Sequence, residues 1–207
     1  MRLTSQSFRD QAMIPAKFAF CAPDPQNHVA LSQNVNPHFS WEDVPSGTKS
    51  FALILSDPDA PGVGDDVNQE GRGVPASLPR VEFIHWVLFD IPAETTEIAE
   101  GSFSDEVVPR GKPAATPQGA RQGMNDYTGM FAEDHDMCGD YYGYDGPCPP
   151  WNDERVHRYV FTLYALDVAS VSPAAPVTAA ALRQAMAGHV LAEASLTGLY
   201  TLNPALV

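Results

Sequence analysis

The chain has 207 residues, 44% of them hydrophobic, which suits one domain with a full core better than two small ones. Its 26 acidic residues outnumber 12 lysines and arginines, a net charge of -14. A field of that sign excludes nucleic acid and anionic membrane surfaces, and no segment has the length of a membrane span.

The N-terminal string MRLTSQSFRDQAMIPAKF mixes polar and apolar residues from the start and lacks the continuous apolar stretch of a signal peptide, so a cytoplasmic protein is expected. Three cysteines, Cys21, Cys138 and Cys148, are too few for a disulfide framework. Free thiols are expected, with a Cys138–Cys148 bridge across the Gly/Tyr-rich loop as the alternative.

The segment SFALILSD (50–57) alternates with period two and places Phe51, Leu53, Leu55 and Asp57 on one face. It runs into SDPDAPG (56–62). Pro58 keeps Asp57 out of the helical region and Pro61 stiffens the exit, so Asp57 and Asp59 sit on a rigid turn at a strand mouth. After the long loop 65–80, VEFIHWVLFDI (81–91) reads as a second strand, with Val81, Phe83, His85, Val87 and Phe89 on one face.

Residues 92–155 hold few apolar runs, and a structureless loop of that length is uncommon unless functional. Short strands and much of the binding surface are expected there. Within it, AEDHDMCGD (132–140) offers oxygen, nitrogen and sulfur ligands, but its spacing fits no zinc or EF-hand pattern, so a solvated acidic loop is expected and no metal or cofactor is called for.

The stretch YDGPCPPWNDERV leads into VHRYVFTLYALD (156–167), a strand that places His157, Tyr159, Phe161, Leu163 and Ala165 together. Then TAAALRQAMAGHVLAEA (178–194) predicts a helix capped by Thr178, with Leu182, Met186, His189 and Val190 on its apolar stripe and Gly188 weakening it. A last strand is expected over 196–202. The regular βα alternation of a dinucleotide-binding fold is absent, and an antiparallel β-sandwich covers both faces of these strands.

Three strands thus each bring polar groups to an apolar face: Asp57, His85, and His157 with Tyr159. If the strands are neighbours, these groups converge. Two imidazoles and a phenol can donate to one anion, and a carboxylate can fix a histidine tautomer and raise its pKa. The proline-rich turn can wall such a pocket at little entropic cost, with Gly146 and Cys148 as its backbone donors.

DPDAP, the histidine of HWVLFDIP, and GPCPP followed by HRYVFTLYALD, in this order, resemble the phosphatidylethanolamine-binding protein family, closest to its bacterial Raf-kinase-inhibitor-like branch. The resemblance runs from about residue 15 to residue 200. It implies a mainly β fold, a large antiparallel sheet packed on a smaller one with a C-terminal helix, and a pocket for a phosphate-like or carboxylate anion. By position, Asp57, Asp59 and Pro61 match the acidic turn. His85 matches the mid-strand histidine, Pro149 and Pro150 the proline pair, and His157 and Tyr159 the His-Arg-Tyr motif. The insert WNDERV with Trp151, and the loops 65–80 and 125–144, are expected to remodel the rim.

The resulting expectation is a single-domain protein that binds a phosphate monoester, a phospholipid head group or a carboxylate. A kinase or protease partner is implied only by the resemblance, and a homodimer through an edge strand is compatible with the fold. The rival is a hydrolase in which His157 activates Cys148.

Overall fold

The alternating apolar segments form the long central strands because β-branched and aromatic residues fill both faces of a covered sheet. The computed structural model describes residues 1–116 and 119–207. In chain order the strands are β1 (Arg2–Thr4), β2 (Ala12–Met13), β3 (Cys21–Asp24), β4 (His28–Leu31), β5 (Phe39–Glu42), β6 (Ser50–Pro61), β7 (Arg80–Pro92), β8 (Glu97–Ile98), β9 (Arg121–Gln122), β10 (His157–Leu166) and β11 (Val190–Tyr200). The helices are α1 (Tyr127–Met130) and α2 (Ala179–Met186).

Six strands make the large sheet in the order β2-β11-β10-β6-β7-β9. All its pairings are antiparallel except the short β2–β11 contact. A three-stranded sheet, β1-β5-β8, packs on one face, where Leu3, Phe39 and Trp41 meet Phe51, Leu53, Leu55, Phe161 and Leu163. Helix α2 covers the other face, where Ala179, Leu182 and Met186 meet Ala52, Ile54, Val87 and Phe89. Both faces are buried, as the apolar character of these strands requires.

Strand β7 departs from simple alternation. Leu55 pairs with Trp86, but the next residue, Ser56, pairs with Ile84, so His85 is the extra residue of a β-bulge. The bulge reverses the phase of the strand. Phe83 and His85 lie on the small-sheet side, and beyond the bulge Trp86 and Leu88 take that side. Val87 and Phe89, expected on the face of His85, are on the helix side instead. A second irregularity spans Pro58 and Asp59, where three steps along β6 oppose two along β7. Proline has no N–H to give a ladder, so a bulge there leaves no donor unpaired.

The helix expected over 178–194 ends at Met186. Thr178 does cap it, its hydroxyl accepting from Ala181 N–H. Gly188 adopts φ +83°, a left-handed conformation that ends helices, and the chain reverses into β11 at Val190 rather than at 196. Residues 190–196 gain antiparallel pairing with β10 that an isolated helix turn does not offer. His189 therefore leaves the apolar stripe. It is half-exposed, and its Nδ1 lies 2.8 Å from Asp167 Oδ1.

Candidate functional site

Strand order decides the convergence: β6 lies between β10 and β7, so Asp57 stands between His157 and Tyr159 on one side and His85 on the other. At this end of the sheet a cavity of about 200 Å³ opens, lined by Asp57, Pro61, His85, Cys148, Pro150, His157 and Tyr159 among the residues expected in the site. Phe83, Tyr127, Met130, Val63, Val67 and Asn68 complete its wall. The last three come from the loop after β6, and Tyr127 and Met130 from α1. Both long loops thus contribute to the rim.

His157 is buried between two carboxylates. Its Nδ1–H donates to Asp57 Oδ2 at 2.7 Å and its Nε2–H to Asp153 Oδ2 at 3.0 Å. Both nitrogens donate, so the ring is an imidazolium. Burial opposes that charge, but the hydrogen bonds to Asp153 and Asp57 prevail and push its pKa up to about 9. Asp153 in turn receives both Arg80 guanidinium nitrogens, at 2.5 and 3.0 Å, and the Arg155 N–H at 2.9 Å. Burial would raise Asp153, yet its bonds to His157 and Arg80 hold it below the usual carboxylate range. Asp57, His157, Asp153 and Arg80 form a row of alternating charge that sums to zero. The floor of the cavity is therefore charge-balanced, and His157 has no N–H left for a ligand.

Asp59 does not line the cavity. It is buried beneath it, where Arg158 Nε donates at 2.8 Å and Arg155 at 3.0 Å. Burial raises its pKa, but Arg158 and Arg155 outweigh that and hold it at about 2. Its N–H donates to Asp57 Oδ1 at 2.7 Å, which fixes the Asp57 carboxylate. The acidic turn is thus a scaffold for one carboxylate rather than a pair facing the ligand.

His85 is 3% exposed, and its Nδ1 lies 2.8 Å from the Asp145 carbonyl oxygen. A carbonyl only accepts, so Nδ1 carries the hydrogen and Nε2 of the neutral ring is an acceptor. Burial lowers its pKa, partly offset by the charge of Asp57. Its ring stands edge-on to Tyr159 at 5.2 Å and to Tyr127 at 5.5 Å. The Tyr159 phenol is pushed well up by burial and by the neighbouring Asp57 charge, so it is a neutral hydroxyl.

The proline-rich turn does not behave as its composition suggests. Gly146 N–H is already donated to Asn34 Oδ1 at 2.8 Å, and its carbonyl accepts from Tyr127 hydroxyl at 2.7 Å. Any side chain at 146 would collide with the Phe18 carbonyl oxygen. Gly146 is a close-packing residue rather than a ligand donor, and Pro149 is buried behind the wall. Pro147 carbonyl receives the N–H of Phe20 and of Cys21 at 2.9 and 3.1 Å. Cys148 is bonded to Cys21 in a disulfide.

That disulfide overturns both cysteine expectations: Cys148 is not a free thiol, and it does not pair with Cys138, which is exposed and free. Cys21 is 127 residues away in sequence, and only the packing of β3 against the turn brings the sulfurs together. It also removes the nucleophile of the hydrolase reading, just as the two carboxylates remove His157 as its base. Trp151 is not on the cavity rim. It stacks on His28 at 3.9 Å, in a separate groove with Leu202 and Pro204. In the acidic loop His135 meets only Asp136, both in solvent, and among the described residues no group of three or more metal-type side chains converges.

Asp153, Arg80, Asp145 and Tyr127 were not singled out from sequence. Asp153 lies four residues before His157 inside the insert, the one local signal that pointed to it.

The family model for phosphatidylethanolamine-binding protein matches residues 4–201. The chain belongs to the phosphatidylethanolamine-binding protein family. Among curated relatives, the UPF0098 protein of Methanothermobacter thermautotrophicus is 35% identical over 97% of this chain and 98% of its own length. Escherichia coli YbhB is 31% identical over 97% and 100%. A solved family homologue from Chlamydia trachomatis superposes with a TM-score of 0.64 at 30% identity, covering 96% of this chain and 95% of its own. Escherichia coli YbcL, at 24% identity and a TM-score of 0.69 over 97% of each chain, shares the fold. Family members thus match this chain from the first strand to the last. None of the helices described here is long and apolar enough to cross a membrane.

Proposed function

We propose that this protein binds a small anionic group, a phosphate monoester, phospholipid head group or carboxylate, in the cavity between β7, β6 and β10. The observation that carries this reading is His85. It is a buried polar side chain lining a mostly apolar cavity together with Tyr159, with one nitrogen committed to the Asp145 carbonyl. Buried polar atoms of that kind are worth a partner. The Asp57 charge, which would repel an anion, is neutralised by the His157 imidazolium. Family membership supports the same reading.

Binding is favoured over turnover because the residues that would attack or deprotonate are engaged elsewhere: Cys148 in a disulfide, His157 in two ion pairs. Calorimetric titration with phosphoethanolamine tests the reading. Wild type is expected to bind, and His85→Ala to bind at least tenfold more weakly while unfolding at the same denaturant concentration within the loss expected for a buried side chain. Equal affinity of the two proteins would refute it.

A further inference from the structure

The insert after the proline pair acts on the cavity without lining it. Asn152, in that insert, is a polar side chain only 6% exposed, and its amide is fully used. Its Oδ1 accepts the Asn68 N–H at 2.9 Å, and its Nδ2 donates to the carbonyls of Asp66, Gln69 and Arg72 at 2.8, 3.3 and 3.1 Å. An amide nitrogen carries two hydrogens, so one of them is shared between two carbonyls. All four partners belong to the loop between β6 and β7. Asn68 returns the contact, its Oδ1 accepting the Trp151 N–H at 3.0 Å.

Little else holds that loop down between its two pinned ends. At one end Gly62 N–H donates to the Pro79 carbonyl at 2.9 Å. At the other, buried Val74 donates its N–H to the Asn152 carbonyl at 3.0 Å and accepts from Glu154 N–H at 3.1 Å. Between these pins no side chain from 63 to 73 is buried, and Gly64 and Gly71 stand in open space. Apart from the Asn152 and Trp151 bonds, the one other polar tie of this segment to the rest of the protein, among the described residues, is the exposed His28–Glu70 contact. A segment without buried apolar contacts opens at small cost unless hydrogen bonds hold it, so Asn152 sets its position.

The same segment is a wall of the cavity, to which it gives Val63, Gly64, Val67 and Asn68. Asn68 therefore touches the cavity and Asn152 at once, and lifting it from Asn152 removes that wall. We propose that residues 63–73 are a lid on the cavity, that Asn152 is its latch, and that release of the latch lets a small molecule in and out. The latch is a property of the loop alone; the gating role rests on the ligand reading given above.

Trypsin reads the latch directly. Arg72 has an exposed side chain, but Asn152 holds its carbonyl, so the Arg72–Gly73 bond is cut only after the lid has lifted. The full chain, disulfide intact, is digested briefly and the fragments are followed by mass spectrometry. Asn152→Asp keeps the shape and turns the donors into an acceptor facing three carbonyls. It is expected to be cut at Arg72 at least about tenfold faster than wild type. Cutting at Arg158, within β10, reports global unfolding and is expected not to rise. Equal rates at Arg72 would overturn the latch. If the variant unfolds, hydrogen exchange in wild type decides. The Asn68 amide is expected to exchange through a local opening insensitive to low urea, at least about a hundredfold faster than the amides of β10; exchange as slow as in β10 would overturn the lid. Saturating phosphoethanolamine is expected to slow cutting of wild type at Arg72 by about threefold or more. Calorimetric binding that leaves the cutting rate unchanged would overturn the gating. No binding at all, with fast cutting of the variant, would refute the ligand reading and leave the lid and its latch standing.

Discussion

Raising the pH tests the row of charges directly. The His157 imidazolium is stabilised by Asp153 and Asp57 in the folded protein alone, so its pKa rises from 6.5 to about 9 on folding. A raised pKa stabilises the fold fully below 6.5, and that contribution is lost as the pH climbs through 9. A rise from 6.5 to about 9 corresponds to about 3 kcal/mol, at about 1.36 kcal/mol per pH unit. This is a large part of the ~5–15 kcal/mol that keeps a domain folded. Urea unfolding followed by tryptophan fluorescence should therefore give a stability that declines by about 1.4 kcal/mol per pH unit between 6.5 and 9. Asp153→Asn removes one of the two carboxylates and leaves the Arg80 charge with backbone carbonyls in place of its ion pair. It should lower stability at pH 6.5 by about 3 kcal/mol and flatten the slope above it. His85 acts in the opposite window. Burial lowers its pKa, so its contribution is present above 6.5 and lost as the pH falls below that value. A stability that stays level from pH 6.5 to 9, or an imidazole resonance of His157 titrating near 6.5, would refute the reasoning.

Two further outcomes follow from the proline-rich wall. Removing the Cys21–Cys148 bridge with the double change to serine should destabilise the protein by about 5 kcal/mol, the chain-entropy value for a loop closed across 127 residues, and dithiothreitol should mimic it in wild type; urea midpoints that agree with and without reductant would contradict the bridge. Gly146→Ala should lower the unfolding midpoint by more than about 2 kcal/mol, because the added methyl meets a backbone oxygen that has little room to yield; an unchanged midpoint would show that the 18–21 segment moves freely.

Much of the architecture was legible because period-two alternation is a local property of strands. The residues 50–57, 81–91 and 156–167 mark β6, β7 and β10 to within a few positions. Alternation fails where a bulge inserts a residue, and β7 shows the result: Val87 and Phe89 face α2 although their spacing from His85 places them beside it. The end of α2 was illegible for a related reason. Residues 190–194 continue the helical spacing of the preceding segment and read as helix, but pairing with β10 makes them strand.

Composition and order alone determined the family and the placement of Asp57, His85, His157 and Tyr159 on strands, because these depend on residue identity and short spacing. Tertiary structure decided what those groups do. It put Asp153 and Arg80 on His157, turned His85 into an acceptor through the Asp145 carbonyl, and joined Cys148 to Cys21. Hydrogen bonds and disulfides form between atoms within a few ångströms, and here their partners lie up to 127 residues apart, a distance no local pattern spans.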